Sequence, residues 1–200
     1  MDYLSSVINV IHGSSISAGL LLFTLTLIDG LVIIGLLING WGAFVVCVYS
    51  YANGYISMQE MIIFGFLGVF VGEQISFYLG YVFGPRIVQV MLRLASKIER
   101  LKRGRVLKVL PVWVSEESLR RSIDQLSLNI NRWGGIAVIT GRWTPIASVV
   151  PTVCSTLSMP YLRFIRLSAV SCLFWVLGWM IIVHLTVIGY LTIFNRYLVQ

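Results

Sequence analysis

The sequence predicts an all-α protein: a polytopic membrane helical bundle with two re-entrant or broken helical hairpins and a cytoplasmic amphipathic helical segment. Three observations carry that prediction. Of the 200 residues, 58% are hydrophobic and 12% charged, with a mean hydropathy of +0.88, whereas about a quarter of the residues in a soluble domain are charged. Several apolar runs approach or exceed the roughly 20 residues that cross a hydrocarbon core. The basic residues are also segregated, since none precedes Arg86 and eleven of the fifteen lie between Arg86 and Arg132, against four acids. By the positive-inside rule, residues 86–132 are cytoplasmic and the apolar runs lie in the cell membrane. The length asks for one domain, residues 1–200, with 86–132 as its connector.

The same composition excludes other classes. A net charge of +7 does not point to nucleic acid, because no soluble domain interleaves aromatic with basic residues. Cys47, Cys154 and Cys172 sit singly among apolar neighbours, so neither a disulfide framework nor a CxxC site is expected. His12 and His184 lie apart from each other and from any cysteine cluster, and no metal or cofactor is expected. A basic n-region with a small-residue cleavage site is missing at the start, so the first apolar run is expected to persist in the mature protein.

In chain order, residues 1–16 mix Ser and His with Val and Ile and suit the interface. Residues 17–38 are an apolar run with Asp29 at its middle; a lone carboxylate there must face other helices, water or a cation. Asn39-Gly40-Trp41-Gly42 signals a turn, and 43–49 is too short to span, so a broken element is expected over about 29–49. A span follows at about 57–84. In it Gly68/Gly72 and Gly80/Gly84 form small-xxx-small pairs that admit a close neighbour, and Glu73 stands on their rim. The structural reading of Glu73 is an interhelical hydrogen bond to a Ser or Tyr; the functional one is a substrate or proton path. Glu60 is expected to be solvated.

Beyond Pro85, Ile87, Met91, Leu94, Ile98 and Leu101 recur at helical spacing among basic residues, as on an anionic membrane face. Ser115 with Glu116 and Glu117 begins a second helix, whose Leu119, Ile123, Leu126 and Ile130 pack inward. Trp133-Gly134-Gly135 ends it. The run 136–160 then contains Arg142, Pro145, Pro151 and Pro160. Proline removes a backbone donor, and a charge at the bilayer centre costs about 3 kcal/mol or more. This run therefore reads as a second broken element, buried in protein or lining a wet cavity. The longest apolar stretch, about 164–194, holds Trp175, Gly178, Trp179 and His184, with a bend possible at Gly178.

Gly141-Arg142-Trp143-x-Pro145, Pro151 six residues on, a small-residue turn to Met159, then Phe164 and a span holding Trp175 form an ordered set. Together with Arg132-Trp133-Gly134-Gly135 and Gly72-Glu73-x-x-x-x-Tyr78-x-Gly80, over about residues 20–180, it resembles the signature of the DedA (SNARE-associated, VTT-domain) membrane proteins. The resemblance implies an N-terminal re-entrant hairpin with an acid near its start, here Asp29. It also implies movement of phosphate-bearing lipids such as undecaprenyl phosphate or phosphatidylethanolamine. Members that are coupled to proton-motive force carry two hairpin acids and two arginines six residues apart. Here Asp29 falls at the first acid and Trp41 at the second, Arg142 at the first arginine and Ser148 at the second. Ser155 replaces a family glycine and Ser168 a family asparagine. One negative and one positive group are thus missing together, which weakens the case for proton coupling more than the case for the fold.

Two broken elements in corresponding halves point to a transport site near the midplane. Arg142, Asp29, Glu73, Pro145, Pro151 and Ser148 are its candidate residues, with the guanidinium fork suited to a phosphate. No nucleophile–base pair or carboxylate pair is legible, so no enzyme is expected. The partners expected are a membrane phospholipid or polyprenyl phosphate and the bilayer itself. Transport of a small ion or solute, or a structural or regulatory role, remain the alternatives. The sequence leaves the lipid, its direction, the side of the C-terminus and the oligomeric state open.

Overall fold

The computed structural model describes residues 15–38, 41–103, 116–144 and 146–198. Residues 1–14, Asn39 and Gly40 with the turn expected there, the connector residues 104–115 with the expected Ser115 cap, Pro145 and residues 199–200 lie outside them. Among the described residues the chain is helical throughout, with no strand. The helices are α1 (Ser15–Gly30), α2 (Val32–Ile38), α3 (Trp41–Ala52), α4 (Met58–Phe83), α5 (Pro85–Arg103), α6 (Glu116–Trp133), α7 (Gly135–Gly141), α8 (Val150–Thr156) and α9 (Tyr161–Leu198). A single 3₁₀ turn, Ala147–Val149, leads into α8.

Two of these helices, Met58–Phe83 and Tyr161–Gly189, are long and apolar enough to cross a membrane. At 26 residues, α4 is about 39 Å long at 1.5 Å per residue, more than the ~30 Å hydrocarbon core. Its start is fixed by a capping box in which Ser57 N donates to Glu60 Oε2 at 2.8 Å and Glu60 N to Ser57 Oγ at 3.2 Å. Glu60 is therefore a capping residue and not simply a solvated acid. Ile63, Leu67, Val71 and Ile75 of α4, and Phe174, Ile181, Leu185 and Ile188 of α9, are exposed apolar residues, as a lipid-facing surface requires.

The α4 helix is the spine, packed by α1, α8 and α9. Its glycines set the approach of α1: a methyl on Gly30 would lie 3.0 Å from Gly72 Cα, and one on Gly72 would lie 2.6 Å from Leu27 O. Gly80 abuts Thr152 and Ser155 of α8, so the missing side chain on α4 accommodates the hydroxyl on α8. Gly84 departs from the expected pairing with Gly80. It has φ +51° and a methyl there would meet nothing within 4 Å, so it terminates α4 and is not part of the packing face.

On α5, Ile87 and Met91 are buried as expected, but Ala95 continues the buried stripe where Leu94 was expected, Leu94 being half-buried. The advance of four residues keeps the stripe against α6, whose Leu119, Ile123, Leu126 and Ile130 are all buried. The two amphipathic helices thus cover each other. The α9 helix runs unbroken through Gly178, and His184 Nδ1 meets Tyr51 Oη of α3 at 2.9 Å.

Candidate functional site

Both elements are interrupted among the described residues, and several of the backbone groups freed there find partners. The first break falls at Leu31, immediately after Asp29 and Gly30. Val32 N donates to Ser76 Oγ at 2.9 Å, and Ser76 Oγ donates to Gly30 O at 2.9 Å. One buried hydroxyl on α4 thereby closes the gap between α1 and α2. Thr152 Oγ1 of α8 donates to Ser76 O at 3.1 Å, which ties the second broken element to the same turn of the spine.

The second break begins where α7 ends at Gly141. Trp143 N donates to Thr140 O and Thr144 N to Gly141 O, both at 3.1 Å, and Ala147 N to Thr144 O at 3.1 Å. Pro151 then opens α8 in its first turn, where its missing N–H has no intrahelical partner to lose. Arg142 occupies the C-cap of α7, and a cation is favourable there.

Arg142 is 6% exposed and Glu73 is 5% exposed, which makes their meeting decisive. Arg142 Nη1 and Glu73 Oε1 form an ion pair. The other carboxylate oxygen, Oε2, accepts from Ser168 Oγ, and from Cys172 Sγ at 3.3 Å. Gln74 Nε2 in turn donates to Ser168 Oγ at 3.2 Å. The guanidinium lies over the Trp175 ring, 4.9 Å from its centroid. Taking two ions out of water costs several kcal/mol each, and the carboxylate is held here by donors from α9 as well as by the arginine. Arg142 Nε is buried with no hydrogen-bond partner among the described residues.

A cavity of about 300 Å³ opens beside the pair. Asp29, Glu73, Arg142 and Ser148 line it together with Trp143 and Trp175. Four of the six predicted site residues therefore share one chamber at the junction of the two breaks. Pro151 does not line the chamber; it is buried at the start of α8. Pro145 lies outside the described residues.

Ser76, Ser168, Cys172 and Gln74 were not singled out as site residues from the sequence. Ser168 and Cys172 are one helical turn apart, which was the available signal. Hydroxyl and thiol groups are common in apolar helices, so only the pairing with Glu73 gives them meaning.

The fold and the buried ion pair define a helical membrane protein with a polar chamber between broken helices. The VTT domain profile matches residues 15–185, and the chain belongs to that family, the DedA or SNARE-associated membrane proteins. No curated protein and no solved structure matches it.

Proposed function

We propose that the protein is a transporter, not an enzyme, that moves phosphate-bearing lipids such as undecaprenyl phosphate or phosphatidylethanolamine across the cell membrane. The observation that carries this reading is the buried Arg142 guanidinium beside a cavity of about 300 Å³, paired with one carboxylate and with its Nε unpartnered among the described residues. A phosphate entering the cavity replaces Glu73 on the guanidinium fork, exchanging one anion for another in a low-dielectric setting. The displaced carboxylate keeps its Ser168 and Cys172 donors, which offset part of the loss of its counter-ion. Asp29 and Ser148 supply the remaining polar wall. In this reading the two broken elements are re-entrant and residues 86–132 face the cytoplasm, so an impermeant thiol reagent outside intact cells fails to label Arg120→Cys.

The test is lipid movement in proteoliposomes of purified full-length protein. Arg142→Ala is expected to abolish it, and Arg142→Lys to lose most of it, because a point charge does not reproduce a planar fork. Full movement by Arg142→Ala would overturn the proposal.

A further inference from the structure

A second cavity, of about 350 Å³, lies beside the Gly141–Thr144 turn between α6 and α7. Ser122, Gln125 and Asn129 of α6 line it with Thr140 of α7 and Thr144 of the turn. Steps of three and four residues put the first three on one helical face, next to the buried stripe that holds α6 to the bundle. Thr144 lines both cavities, and Arg142, two residues before it, lines the first. The two chambers therefore adjoin at Thr144.

Beside apolar Leu126, Ala137 and Ile146, the polar part of the second wall carries hydroxyls and carboxamides and, among the described residues, no charged side chain. The charged residues at the start of α6 pair along their own helix, Arg120 with Glu116 at 3.8 Å and Arg121 with Glu117, and none of them lines the cavity. Among the described residues, an ammonium group in it would meet no lining carboxylate, and a second phosphate no lining cation. Thr140 Oγ1 donates to Ile136 O at 3.0 Å and Thr144 Oγ1 to Gly141 O at 2.5 Å, so each presents lone pairs. The two carboxamides and the Ser122 hydroxyl both donate and accept. A hydroxyl, donor and acceptor at once, suits all of them.

We propose that this cavity is a headgroup subsite for a hydroxylated phosphodiester. The phosphate sits at Arg142, and a glycerol or sugar substituent extends past Thr144 to Ser122, Gln125 and Asn129. The inference rests on the reading of Arg142 as the phosphate site. It keeps the phosphate-bearing class of that reading but ranks lipids whose headgroup carries hydroxyls above the two examples named there, phosphatidylethanolamine with its amine and undecaprenyl phosphate with no headgroup.

Trp143, Trp175 and Trp179 line the first cavity, so intrinsic fluorescence reports its occupation. Purified full-length protein in detergent is titrated with short-chain phosphatidylglycerol, phosphatidylethanolamine and phosphatidic acid, and with deacylated glycerophosphoglycerol. Wild type is expected to bind phosphatidylglycerol about tenfold more tightly than the other two lipids, the effect of one or two neutral hydrogen bonds. The double variant Ser122→Ala/Asn129→Ala, at positions outside the buried core, is expected to lose that preference while binding phosphatidic acid as wild type does.

Equal binding of the three lipids by wild type, preference for the amine headgroup, or a preference that persists in the variant would each overturn the subsite and leave Arg142 as a phosphate site. Binding of none of the four ligands would overturn both. If the deacylated compound binds as tightly as the lipid and loses affinity in the variant, the hydroxyl subsite stands and its ligand is a soluble phosphodiester, which overturns the lipid source.

Discussion

At the first break, α1 ends at Gly30, the chain resumes at Val32, and both loose backbone groups are met by Ser76 from another helix. At the second, the turn after Gly141 closes on its own backbone and carries the buried cation that Glu73 neutralises. The first break thus depends on a neutral hydroxyl for its shape, and the second depends on an ion pair for its charge. A helix can be interrupted inside an apolar protein by either route, provided that the backbone groups it frees find partners. The routes differ in what they leave available: the hydroxyl at the first break is used up, whereas the guanidinium at the second faces a chamber.

The largest effect should come from breaking the charged side of this comparison. Glu73→Gln leaves Arg142 buried without its counter-ion, and removing one partner of such a pair costs about 3–5 kcal/mol. A sharp fall in thermal stability of the detergent-solubilised protein is the expected outcome. Glu73→Gln combined with Arg142→Met should recover much of the loss, because the two charges disappear together. A double variant less stable than both single variants would show that the pair does not hold the second break as described.

The neutral side comes next, with an expected cost that overlaps that of the charged side. Ser76→Ala strands the Val32 N–H and the Gly30 carbonyl, at about 1–3 kcal/mol for each buried group left unsatisfied. Hydrogen exchange should accelerate at residues 31–35 and leave residues 141–149 near their original rates. Equal acceleration at both breaks would mean that they form one cooperative unit and that the contrast between them is false.

These two roles were unequally legible in the sequence. Arg142, Glu73 and Asp29 stood out because an ionised group in an apolar run is costly wherever the chain folds, so their convergence could be expected before any contact was known. Ser76 gives no such signal: its partner Val32 is 44 residues away, and a serine in an apolar helix usually bonds within its own helix. Ser168 and Cys172 depend on how α9 is rotated against α4, which periodicity does not set. Glycine was ambiguous for a related reason. Gly80 and Gly84 share a spacing, yet one meets α8 and the other ends a helix at positive φ. The bend allowed at Gly178 does not occur, because a glycine inside a helix costs only about 1 kcal/mol and a long helix absorbs it.

The smallest effect tests the comparison through glycines, one beside each break. At Gly72 an added methyl meets backbone, Leu27 O at 2.6 Å and Gly30 Cα at 2.9 Å. Neither can move without shifting α1 against α4, so Gly72→Ala should cost about 1–3 kcal/mol as overpacking. At Gly178 the methyl meets Trp143 Cη2 at 2.6 Å, the far edge of a side chain that is 57% exposed. That ring can swing away, and alanine is the better helix former by about 1 kcal/mol. Gly178→Ala should therefore leave thermal stability within about 1 kcal/mol of wild type, since the two terms oppose each other. Trp143 lines the chamber, so the displaced ring should change its fluorescence even where stability does not change. A destabilisation by Gly178→Ala as large as that by Gly72→Ala would mean that Trp143 is fixed in place, and that the second break is as rigidly packed as the first.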